Sequence, residues 1–137
     1  MQQSLPEGAR ALNEAELLET VTNYHGLAIS AMVFYLSIVT AYLVAAHFVG
    51  EELERSQVAT ITFLFVAFSF FATAGSVGYF WQASFYFRQS EAYRILQIEE
   101  LISPHVLIGV AEGLGIVASL WFMWQIRSKR ARAARVD

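Results

Sequence analysis

The chain has 137 residues, 56% of them hydrophobic, and a formal net charge of −3 from nine Lys or Arg against twelve Asp or Glu. A soluble domain this short has too much surface for its volume to hide so many apolar side chains. Lipid is therefore the expected solvent, and one membrane domain over residues 1–137 the expected organisation. Cysteine is absent, which excludes disulfides, thiolate metal sites and cysteine nucleophiles.

Met1–Leu12 is polar, contains Pro6 and Gly8, and is expected to be a mobile terminus. Asn13 followed by Glu16 fits an N-cap with its capping-box partner. Ala15, Leu18 and Val21 then recur at helical spacing. A short interfacial helix is thus expected to lead into the first span, with Gly26 permitting a bend between them. The first apolar run, Leu27–Val49, begins too late and follows too acidic a segment to be a cleaved signal peptide, so it is read as a retained span. The short connection Glu51–Arg55 makes spans one and two antiparallel neighbours, with Ser56 as N-cap of the second helix.

The second run, Val58–Phe87, is dense in aromatics and ends in Tyr79, Phe80, Trp81, Phe85, Tyr86 and Phe87, an interfacial belt in composition. Gln89–Leu101 is amphipathic. Ile95, Ile98 and Ile102 keep helical spacing among Glu91, Arg94, Glu99 and Glu100, which predicts a short helix lying on the membrane surface. Ser103 and Pro104 read as N-cap and first residue of the third helix. That helix runs to Ile126, with Trp121 and Trp124 marking its far interface. Each run is long enough to cross roughly 30 Å of hydrocarbon. The expected fold is all-α: an integral membrane three-helix bundle, with short interfacial helices before spans one and three.

Lys and Arg set the orientation. A cytoplasmic C-terminus places Arg55 inside together with Arg127, Lys129, Arg130, Arg132 and Arg135, and leaves Arg10, Arg88 and Arg94 outside. The expectation is N-out, C-in. The basic tail 127–137 then serves as a topology anchor at anionic headgroups rather than as a nucleic-acid arm. Compact size and short connections point to a bacterial inner membrane.

The third run contains one acid, Glu112, flanked by Gly109, Gly113 and Gly115. It lies eight residues after Pro104, about 12 Å along the helix, where an ionisable group is costly and marks a functional site by default. No Lys or Arg occurs in any of the three runs, so proton uptake is the simplest way to neutralise it. Hydroxyls are the other resource: Thr62, Ser69, Thr73 and Ser76 share one face of the second helix, and Ser30, Tyr35 and Ser37 come from the first. His105 shares a broad helical stripe with Gly109, Glu112 and Ser119, but two turns, about 10 Å, separate it from Glu112. The candidate ion or proton site is therefore Glu112 with His105, Ser76 and Thr73. Gly109, Gly113 and Gly115, and the ridge of Ser37, Ala41 and Ala45, are the candidate helix-packing positions. Tyr35 and Tyr42, seven apart, are read as packing residues.

No G-x-S-x-G, H-E-x-x-H, Walker-type loop or paired-carboxylate motif occurs, and no soluble segment is long enough for a catalytic domain, so an enzyme is not expected. Nothing calls for a cofactor or for a metal. The leading functional expectation is an oligomeric membrane protein, a pore or small-cation or proton channel in which copies of Glu112 form a ring. The first alternative is an accessory subunit of a larger membrane complex, docked through its glycine face. The second is a haem- or quinone-binding redox anchor, with His25 and His105 as axial ligands and the aromatic second helix against a quinone tail.

Overall fold

The computed structural model describes the backbone of residues 7–49, 52–96 and 103–133 and the side chains of 14–49, 52–95 and 103–128. Four helices make it up: α1 (Glu7–Val49), α2 (Arg55–Phe87), α3 (Glu91–Leu96) and α4 (Pro104–Ala133). No strand occurs among the described residues.

The first helix is longer than expected. α1 continues unbroken through Asn13 and Gly26, so the lead-in is not a separate capped helix and no bend divides it from the span. A glycine costs a helix about 1 kcal/mol, much less than opening the backbone ladder where partner groups are scarce. Nothing lies within 4 Å of where a Gly26 side chain would stand, so no neighbour forces a kink there.

α2 also starts early. Its N-cap is Glu54 rather than Ser56, and the Glu54 amide donates to Gln57 Oε1 at 2.9 Å. Ser56 instead sits in the first turn, its carbonyl accepting the Thr60 hydroxyl at 3.0 Å. The helix stops at Phe87, as expected.

The short α3 is capped from two sides. Ser90 Oγ accepts the Tyr93 amide at 3.3 Å. Glu14 of α1 accepts the Glu91 amide at 2.9 Å, so a carboxylate sits on the partially positive end of the helix. The remainder of the expected amphipathic stretch, including Ile98, Glu99, Glu100 and Ile102, lies outside the described residues. α4 begins at Pro104, with the Ser103 carbonyl accepting the Val106 amide at 3.0 Å. It runs past Ile126 to Ala133, so Arg127, Lys129, Arg130 and Arg132 extend the helix; Arg135 lies outside the described residues.

Each long helix packs on the other two. Their buried positions share one spacing. Val21, Ala28, Tyr35 and Tyr42 follow each other at seven-residue steps on α1; Ser69, Ser76 and Ala83 do so on α2; Glu112 and Ser119 do so on α4. A seven-residue repeat is the signature of left-handed helix packing, the commoner hand in membranes. Near the α1–α2 connection the seam is apolar: Tyr42, Ala46, Phe65 and Met123 form its core. There Tyr42 stacks on Phe65 with centroids 4.0 Å apart, a geometry worth about 0.5–1.5 kcal/mol beyond burial. At the α3 end Tyr24 stacks on Tyr86 at 5.6 Å.

The outside of the long helices carries many large apolar side chains. Phe63 and Phe71 are each 71% exposed and Leu114 is 65% exposed. Only 17% of each apolar window on α1, α2 and α4 is buried. Three helices long and apolar enough to cross a membrane therefore turn most of that apolar surface outward, an arrangement suited to lipid and not to water.

Candidate functional site

Glu112 lies where the three long helices meet. It is 4% exposed, and a side chain from each of the other two helices reaches it. From α2, Ser76 Oγ donates to Glu112 Oε2 at 2.8 Å. From α1, the Tyr35 hydroxyl donates to the Glu112 backbone carbonyl at 2.6 Å. Glu112 Oε1 is buried and has no hydrogen-bond partner among the described residues.

Ser76 is itself fully buried. Its hydroxyl lies within reach of a second acceptor, the Thr73 carbonyl in its own helix, at 3.1 Å. The Thr73 hydroxyl oxygen is buried without a partner among the described residues, and so is that of Ser69 one turn further along the same face. Beyond Ser69 the polar file continues with Thr62, whose hydroxyl is 3.2 Å from that of Tyr42. On α4, Ser119 is buried but spends its hydroxyl on the Gly115 carbonyl at 2.7 Å.

The expected site is thus assembled in part. Ser76 and Glu112 are bonded, and Thr73 joins through its carbonyl. His105 stays apart: it lines a separate groove of about 290 Å³ with Trp81, Ser84, Phe85, Arg88 and Ser103. Its Nδ1 is nevertheless buried and without a partner among the described residues, on the stripe that leads to Glu112. Of the α1 hydroxyls only Tyr35 arrives. Ser30 and Ser37 face outward and donate to their own helix, to the Gly26 carbonyl at 2.8 Å and the Val33 carbonyl at 2.9 Å.

The three glycines around the acid do different things. A side chain at Gly109 would meet Val77 Cγ2 at 3.2 Å, so this glycine brings α4 against α2. One at Gly115 would collide with the Tyr35 hydroxyl, so this glycine admits the phenol to the Glu112 carbonyl. A Cβ at Gly113 would face open space, with nothing among the described residues within 4 Å. The ridge on α1 is likewise not an internal packing face, since Ala41 is exposed and Ala45 only half-buried. The small residues that bring the helices together are Ala28, Ala46, Ala72 and Ala83, all buried. Of these, Ala28 stands on the seven-residue stripe with Tyr35, and Ala83 on that of Ser69 and Ser76.

The acid is covered by its own chain, so a ring of copies is not required to shield it from lipid. His25 is exposed, its Nδ1 3.0 Å from the Val21 carbonyl and its ring edge-on to Phe80. No group of three His, Cys, Asp or Glu side chains able to hold a metal ion occurs among the described residues. Among the tail cations, Arg127 bends back, and one of its amino groups donates to the Leu53 carbonyl at 3.3 Å.

Comparison with known protein families, with curated proteins and with solved structures gives no match. Fold and site together define a class: a helical membrane protein with three candidate spans and one carboxyl group buried where they meet.

Proposed function

We propose that this chain is a three-span bundle that binds and passes a proton or small cation at Glu112, acting as an oligomer or within a larger membrane assembly. The observation that carries the reading is the pair of acceptors around the Ser76 hydroxyl, the Glu112 carboxyl at 2.8 Å and the Thr73 carbonyl at 3.1 Å. With Glu112 ionised, Ser76 donates to the carboxylate. With Glu112 neutral, the acid donates to Ser76, whose own proton turns to the Thr73 carbonyl. The Ser76–Glu112 hydrogen bond is kept in both protonation states by rotating one hydroxyl, with the heavy atoms in place.

The spare oxygens of Thr73 and Ser69 on one side, and His105 Nδ1 on the other, extend this exchange along the seam. Buried polar atoms of this kind are sites for bridging water. The ends of the file lie toward the two membrane faces, in the N-out, C-in orientation favoured by the basic residues after Ile126. The outward Ser37–Ala41 ridge and the open Gly113 supply small-residue surfaces for a second copy.

Purified protein in liposomes, under an imposed potential and followed with an enclosed pH-sensitive dye, tests the reading. Glu112→Gln keeps a hydrogen-bonding group of the same size, so it is expected to preserve folding and reduce proton entry to that of empty vesicles. Unchanged entry would reject the acid's role in conduction. The accessory-subunit reading draws on the same open Gly113 face. Stoichiometric co-purification of a larger membrane protein, with no flux from the isolated chain, would favour it.

A further inference from the structure

The seam site leaves unused a groove at the end of the molecule opposite α3. It runs between α2 and α4, encloses about 640 Å³ and is open to the side. That volume falls within the roughly 300–1,000 Å³ of small-ligand clefts. Arg55 and Arg127 line it together with Val58, Ala59, Thr62, Phe63 and Val66 of α2. No acidic side chain lines it.

We propose that this groove binds an anionic glycerophospholipid, with the phosphate between Arg55 and Arg127 and one acyl chain along the apolar wall of α2. Three features converge on that ligand. The donation to the Leu53 carbonyl at 3.3 Å ties Arg127 across the α1–α2 connection and leaves its other N–H groups for a phosphate. Arg55 occupies the first position of α2, directly after the N-cap Glu54, and no acid follows it in the first turn. A cation there opposes the helix dipole, and an anion over the same turn offsets that cost. Beneath the two charges the wall is the lipid-facing side of a candidate span, with Phe63 71% exposed and Val66 40% exposed. A headgroup at the mouth therefore has its tail already in register with the hydrocarbon. A soluble phosphate would use the cations and leave the wall unused. An apolar segment of a second chain would use the wall and leave two buried cations without a counter-charge.

The test is native mass spectrometry of the whole protein released from neutral detergent, titrated with phosphatidylglycerol, phosphatidylcholine or sn-glycerol 3-phosphate. Phosphatidylglycerol is expected to bind as one tight copy, at least about five-fold more strongly than phosphatidylcholine. Arg55→Gln, which leaves the Arg127–Leu53 bond in place, should weaken it roughly five-fold, the typical effect of one cation at an anionic surface. Arg127→Gln should do the same, and Arg94→Gln, at the other end of the molecule, should change nothing. Equal binding of the two lipids would overturn the proposal, as would indifference to Arg55→Gln. Glycerol phosphate binding as tightly as the lipid would assign the site to a soluble anion. A dimer that excludes the lipid and survives Arg55→Gln would assign the groove to a second copy. Liposome flux is a separate readout, so loss of lipid selectivity and loss of proton entry are told apart.

Discussion

Tyr35 reaches the backbone carbonyl of Glu112 because position 115 has no side chain. The phenol crosses the space that a Cβ would fill and satisfies a carbonyl at 2.6 Å, tying α1 to α4 at the level of the acid. Gly115→Ala should evict the hydroxyl and destabilise the protein by roughly 1–3 kcal/mol, combining a lost hydrogen bond with overpacking. In a Tyr35→Phe background the same substitution should cost markedly less, because the colliding oxygen is gone. Unfolding in mixed micelles of dodecyl maltoside and dodecyl sulfate measures all four corners of the cycle. Additive effects would show that the phenol and the glycine are not coupled. Ser76→Ala should leave both carboxyl oxygens of Glu112 without a protein partner and slow proton entry while the helices remain assembled.

Among the elements, α4 meets its neighbours through two glycines and leaves a third unused. Gly109→Leu should force α4 away from α2, since even a Cβ would stand 3.2 Å from Val77 Cγ2. A loss of about 1–3 kcal/mol is expected in the same micelle assay, partly restored by Val77→Ala. Gly113→Leu should leave the isolated chain unchanged, because that position faces open space. Any loss of self-association in Gly113→Leu would then report on a partner surface. At the opposite corner, Glu14→Gln should weaken the cap on α3 by about 0.5–1 kcal/mol, read as faster amide exchange at Glu91 and Ala92.

These elements also show where the sequence is readable. The end of α2 at Phe87 and the start of α4 at Pro104 follow from apolar run length and a Ser-Pro pair. The Ser76–Glu112 pair follows from the hydroxyl face of α2. Tyr35 was visible only as one hydroxyl among three, because which face of α1 turns inward depends on the register between helices. Positions 21, 28, 35 and 42 carry that register, but Val, Ala and two Tyr form no conspicuous stripe in a helix apolar all round. The same ambiguity makes Ala41 and Ala45 look like a packing ridge, although Ala46 is the buried one. The Glu14–α3 contact joins residues 77 apart in sequence, a distance over which local pattern carries no information.

At the scale of the whole molecule, the absence of cysteine makes orientation directly measurable. Single cysteines at Glu52 and Asn23, labelled from outside intact cells with a charged maleimide, should react at Asn23 and stay protected at Glu52. The reverse pattern would invert the N-out, C-in assignment and carry the Arg55–Arg127 groove to the other leaflet.

The unbroken α1 has a mechanical consequence. Its 43 residues make a rod of about 64 Å at 1.5 Å per residue, roughly twice the thickness of the hydrocarbon layer. Because the helix is continuous through Gly26, a push or twist applied to its N-terminal turns is expected to be carried along it toward Tyr35. The same helix bonds α3 through Glu14 and the Glu112 carbonyl through Tyr35, so a displacement of its N-terminal turns is expected to reach the acid as well.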